Sequence, residues 1–129
     1  NKELVEKSLS LAKRDLKTAK NVFEDKDYDW CLSIAYNAML QAGRALMFSK
    51  GYRPKGEYKH LAVLEFVKSE FGKEFADQIL FVFNKMRRKR HIAVYEQVDI
   101  VSEDEAKNAL HWANKFVKRV EELLLLSKD

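Results

Sequence analysis

Residues 84–96 read NKMRRKRHIAVYE, and five of the six positions from Lys85 to Arg90 are basic. Three of these are arginines, whose planar guanidinium matches a phosphate better than an ammonium does. His91 follows at once, the side chain best placed to move protons near neutral pH. Tyr95 completes the set, with a ring to stack on a base and a hydroxyl to hold a phosphate. On a helix at 100° per residue, Asn84, Arg88, His91 and Tyr95 fall within about 60° of one another, and Arg87 and His91 are neighbours at i, i+4. Met86 and Ala93 continue an apolar stripe from Ile79 and Val82. The expected anion contacts are therefore Arg87, Arg88, Arg90, Tyr95 and Asn84, with His91 and Arg88 the candidates for catalysis. The plainer alternative is a solvated helix end whose cations complement the dipole.

The charge balance supports one local site. The chain carries a formal net charge of +4. Segment 85–90 alone contributes +5, so the remainder sums to about −1. A protein that binds polyanions over its whole surface would spread its charge more widely. Other chemistry finds little support. His60, His91 and His111 have no spacing that makes a ligand set, so no metal and no cofactor is expected. No glycine-rich phosphate loop is present. His60 and His111 read as surface or edge residues. Cys31, the only cysteine, sits beside Trp30 in an apolar stretch and reads as core packing. A lone cysteine fits a reducing compartment, and a cytoplasmic location is expected.

Elements that could position the basic run are helical nearly throughout. The 129 residues, 47% apolar and 34% charged, suit a single globular domain over 1–129. One proline and four glycines leave few breaks. The opening residues lack a signal peptide's apolar core. The longest apolar runs, ILFVF and LLLL, are far short of the roughly 20 residues of a membrane span. The spacing predicts helices over about Lys2–Glu24, from Asp27 or Asp29 to Lys50 with Gly51 just beyond, over a short Tyr58–Phe71, and over Lys73–Tyr95. A last helix runs to Leu126 behind a Ser102/Glu105 capping box. Residues 52–57 form a loop. Short connections between long helices make neighbours antiparallel. The fold class is all-α: an antiparallel up-and-down four-helix bundle with one short extra helix. Ala35, Ala38, Ala42 and Ala45 share one face of the second helix and admit a neighbour closely. ILFVF is apolar around its whole circumference, more than one buried stripe needs. Either the short helix covers the second face or a second subunit does. A homodimer through Ile79, Leu80, Phe81 and Phe83 is the expectation.

Two longer stretches carry a resemblance. AKRDLKTAKNVFEDKDYDWCLSIAYNAMLQAGRALMFSKGYRP and MRRKRHIAVYEQVDIVSEDEAKNALHWANKFVKRVEELL resemble the two halves of a HEPN domain (higher eukaryotes and prokaryotes nucleotide-binding), in a small stand-alone prokaryotic branch. The likeness runs from about Ser8 to Leu124. It implies a helical bundle, usually dimeric, often paired with a minimal nucleotidyltransferase in toxin–antitoxin systems. Active members are metal-independent ribonucleases with an Arg, four to six residues, then a His, often with a Tyr two positions on. Aligned on Tyr95, that pattern puts Arg88 at the motif arginine and Ala93 where the histidine belongs. His91 stands two residues early. The resemblance thus implies a degenerate ribonuclease motif and an anion-binding homodimer holding a nucleotide or RNA phosphate. A ribonuclease acting through a shifted His91, and a non-catalytic structural partner, remain as alternatives.

Overall fold

A computed structural model describes residues 2–54 and 59–126. Five α-helices follow one another: α1 (Lys2–Glu24), α2 (Tyr28–Ser49), α3 (Lys59–Phe71), α4 (Asp77–Tyr95) and α5 (Glu103–Leu126), with a 3-10 turn at Gly72–Glu74. They form the expected bundle of four long helices and a short one. Helix α2 is its axis. It packs against all four other helices, and Ala35, Ala38, Ala42 and Ala45 are wholly buried within the chain. Gly43 continues that close approach: a Cβ there would stand 2.5 Å from Val63 Cγ1, so α3 rests directly on the α2 backbone. Among the described residues, no helix is long and apolar enough to cross a membrane.

Local signals explain most boundaries. Asp27 caps α2 by accepting the Trp30 N–H at 3.3 Å. Gly51 adopts φ +81° just past α2, and the N–H groups of Tyr52 and Gly51 donate to Met47 and Phe48 carbonyls, closing the helix end. The capping box forms as expected, with Ser102 and Glu105 exchanging bonds of 3.0 and 3.1 Å. The α4–α5 link is pinned by Asp29, whose carboxylate accepts the N–H groups of Asp99 at 2.6 Å and Val101 at 3.0 Å. Residues 52–54 are irregular, as expected of the loop; 55–57 and the expected start of α3 at Tyr58 lie outside the described residues.

Helix α4 differs from expectation at its start. It begins at Asp77 rather than Lys73, because Phe75 turns extended (φ −124°, ψ 144°) and stacks on Phe116 at 4.8 Å. Arg119 holds the preceding turn, donating to the Glu74 carboxylate at 2.7 Å and to the Glu74 carbonyl at 3.1 Å. The apolar circumference is also used differently. Ile79, Leu80 and Phe83 are buried in the chain's own core, between α2, α3 and α5. Phe83 packs on Tyr36 at 5.7 Å and Phe116 at 5.3 Å. These three residues are not available to a second subunit, which corrects the expected interface. Phe81 alone projects, 68% exposed.

Candidate functional site

The second half of α4, the middle of α2 and the start of α3 meet on one side of the bundle. Lys59, His60, Leu61, Arg87, Arg90, His91 and Tyr95 line an open cleft of ≈ 530 Å³ there. Behind it stands Tyr36, fully buried. Its ring contacts His60 at 5.7 Å, and the Arg90 guanidinium lies 5.9 Å from its centre. Arg87 is steadied by Asn84, whose Oδ1 accepts from its Nε at 3.2 Å and Nη2 at 3.1 Å. His91 and Tyr95 hold their rings 5.0 Å apart along the outer wall.

Burial pushes the Tyr36 hydroxyl up to about 12, with Arg87, Arg90 and Arg44 pulling the other way. His60 is held below the ordinary histidine value, first by burial and then by Arg90, Arg44 and Arg87. Burial also lowers Arg44, against an opposing pull from Tyr36. Three guanidiniums therefore act on one buried hydroxyl and one imidazole. Among the described residues, none of the three forms an ion pair with a carboxylate. The Tyr36 hydroxyl and Arg90 Nε are buried without a hydrogen-bond partner among the described residues. Each such orphan costs about 1–3 kcal/mol. A phosphate, with several acceptor oxygens and negative charge, is the complement of this set.

The structure brings part of the sequence-read set together. Arg87, Arg90, His91 and Tyr95 line the cleft, with Asn84 behind Arg87. Arg88 does not join them; it is exposed and outside the lining, since one residue on a helix is a 100° turn. Ala93, at the motif histidine position, packs against the core. Four contributors were missed: Tyr36, Arg44, Lys59 and His60. His60 is no edge residue but part of the cleft. Arg44 did leave a signal, as the only charge between Asp29 and Lys50 in a largely apolar helix. Cys31 is core, wholly buried, its thiol pushed up to about 11 by burial and by Asp27. His111 stays exposed and meets the Trp112 ring edge-on at 5.1 Å.

The HEPN domain pattern matches residues 5–123, most of the chain and both walls of the cleft. This chain belongs to the HEPN domain family. Two Methanocaldococcus jannaschii proteins named as candidate toxins are similar. MJ0142 is 27% identical over 126 residues, covering 96% of this chain and 84% of the relative. MJ0605 is 27% identical over 128 residues, covering 95% and 90%. Among solved structures, TT1696 of Thermus thermophilus superposes with a TM-score of 0.74 at 18% identity, over 92% of this chain and 96% of its own. An archaeal HEPN homologue gives 0.73 at 17% identity, over the same shares. These two share the HEPN fold.

On the other flank of α4, this HEPN domain has a second depression, of ≈ 290 Å³, between α4 and α5. Phe81, Met86 and Trp112 line it, and Lys89 pairs there with Glu105 at 3.2 Å. Of its two α4 cations, Lys89 is paired and Lys85 forms no ion pair among the described residues. The two flanks thus differ: one holds an ion pair beside an apolar wall, and the other gathers arginines with no ion pair among the described residues.

Proposed function

We propose that the cleft binds the phosphate of a nucleotide or RNA, in a homodimeric HEPN protein that works with a minimal nucleotidyltransferase in a toxin–antitoxin-type system. One observation carries the binding claim: Arg44, Arg87 and Arg90 converge on the buried, unpartnered Tyr36 hydroxyl with no carboxylate among the described residues. The names of the two M. jannaschii relatives support the toxin–antitoxin setting. Phe81, Val94, Tyr95 and Val98 stand exposed on α4 and just beyond it, and uncovered large apolar side chains of this kind support a homodimer. Titration of the protein with adenosine monophosphate by calorimetry tests the binding claim. Affinity should fall steeply with salt. The double variant Arg87→Ala/Arg90→Ala should lose at least about 100-fold, because two charge-assisted hydrogen bonds are worth about 1.5–3 kcal/mol each. Equal affinity in wild type and variant would refute the reading.

A second reading has its own support, because the cleft contains two histidines rather than one. His60 is kept neutral at pH 7, fit to accept the proton of a ribose 2′-hydroxyl. The freed oxygen would bond to phosphorus, the bond from phosphorus to the 5′-oxygen would break, and His91 would give that leaving oxygen its proton. The arginines would steady the phosphate throughout. Labelled RNA incubated in a chelator distinguishes the readings. Cleavage lost in both His60→Ala and His91→Ala supports catalysis; intact RNA leaves the binding module.

A further inference from the structure

The arginine cleft does not end at Lys59. Beyond that residue lies another open cleft, of ≈ 370 Å³, walled by Lys7 and Leu11 of α1, Gln41, Arg44 and Phe48 of α2, and Lys59 itself. Two residues join the pair. Lys59 lines both clefts. Arg44 lines the second and acts electrostatically on Tyr36 and His60 at the back of the first. Among the described residues, Lys7, Arg44 and Lys59 form no ion pair, whereas Lys13, further along α1, is paired with Glu121. Lys7, Arg44, Lys59, Arg87 and Arg90, which face the two clefts or the Tyr36 ring behind them, are therefore all without an ion pair among the described residues.

Each cleft has its own cations and its own apolar wall: Leu61 and Tyr95 in the first, Leu11 and Phe48 in the second. Each is within the size range of sites that hold one small organic group, about 300–1,000 Å³. A nucleoside polyphosphate would crowd its charges together and offer one base to two walls. A single strand of nucleic acid alternates phosphate and base, which matches cation and wall repeated twice. Grooves that follow a strand combine the same two features, positive charge for the backbone and ring faces for the bases.

Resting on the phosphate reading above, we infer that the two clefts are one groove for a single-stranded nucleic acid, spanning a dinucleotide step. One phosphate meets Arg87 and Arg90, with its base against the His91–Tyr95 ring pair. The next meets Lys7, Arg44 and Lys59. Lys7 belongs to the second cleft only and is exposed, so changing it spares both the core and the first cleft.

The experiment compares adenosine monophosphate with a labelled five-residue oligoribonucleotide on wild type and Lys7→Glu. Fluorescence anisotropy follows the oligonucleotide and calorimetry the mononucleotide. Lys7→Glu should weaken the oligonucleotide by about tenfold and leave the mononucleotide within about twofold. The salt dependence of oligonucleotide binding should flatten by about the 0.7 expected for one strand phosphate. If Lys7→Glu leaves the oligonucleotide affinity and salt slope unchanged, or weakens both ligands equally, the groove does not extend and the inference is overturned. A wild type that binds the mononucleotide through Arg87 and Arg90 keeps the phosphate reading in either case; one that binds neither ligand removes both.

Discussion

Helix α4 presents cations to both of its flanks, and among the described residues only one flank pairs any of them. Toward α5, Lys89 meets Glu105 at 3.2 Å beside Met86 and Trp112. Glu105 is held below the usual carboxylate value: burial pushes it up, but hydrogen bonds from Ser102 and Lys89 outweigh that. Toward α2 and α3, Arg87 and Arg90 join Arg44 around Tyr36 with no acid among the described residues. Pairing stabilises the first arrangement on its own. The second gathers like charges and two unpartnered buried groups, each unfavourable to the fold. A basic run is thus not one feature. In this one Lys89 is paired within the fold, Arg87 and Arg90 line the cleft without an ion pair among the described residues, and Lys85 and Arg88 do neither.

Substitutions can break or sharpen that contrast. The largest effect should come from Gly43→Ala. The added Cβ would meet the stiff Val63 side chain and push α3, with Lys59 and His60, away from α2. Overpacking of this kind costs about 1–3 kcal/mol. Denaturant unfolding should show that loss and phosphate affinity should fall with it, while the Lys89–Glu105 flank stays intact. Tyr36→Phe should separate stability from binding. Removing an unpartnered buried hydroxyl should leave the ligand-free protein equally stable or up to about 1 kcal/mol more so, and weaken phosphate binding by a similar amount.

His60 gives a smaller, pH-dependent effect. Its folded value lies below the unfolded one of about 6.5. Between those two values the unfolded chain binds a proton that the folded chain does not. Stability should therefore fall as pH drops through about 6.5 and level off below the folded value. A bound phosphate should draw the value back up, so affinity should rise as pH falls through the same window. Proton-detected titration of the His60 ring, with and without phosphate, measures both directions. The smallest effect should be Arg88→Ala. An exposed side chain outside the cleft should change affinity by under about 0.5 kcal/mol, the usual size for surface substitutions away from special features.

The sequence made the scaffold readable because its periodicity and punctuation are local signals. The Ser102/Glu105 box, the Asp27 cap and Gly51 each act within a few residues, and each boundary fell where they put it. The start of α4 escaped because its cause is distant: Phe75 leaves the helix to stack on Phe116, 41 positions away. The site was legible only on α4. Arg87, Arg90 and His91 stood out in one run, while Arg44 and Tyr36 lie inside an apolar helix and His60 on another element. Their convergence is set by packing, through Gly43 against Val63 and Tyr36 between His60 and Phe83. Arg88 shows the converse, since a residue prominent in the run can still face the wrong way.

Thermal unfolding of Arg90→Met, with and without adenosine monophosphate, tests most directly whether the cleft's charge serves a ligand rather than the fold. Methionine retains an apolar stem over the Tyr36 ring and removes the charge and the unpartnered Nε. Without nucleotide, the variant should melt at or above the wild-type temperature, and the nucleotide-induced rise seen in wild type should disappear. A ligand-free melting temperature lowered by about 4 °C or more, roughly 1 kcal/mol for a domain of this size, with the nucleotide-induced rise intact, would show that Arg90 holds the fold and not an anion.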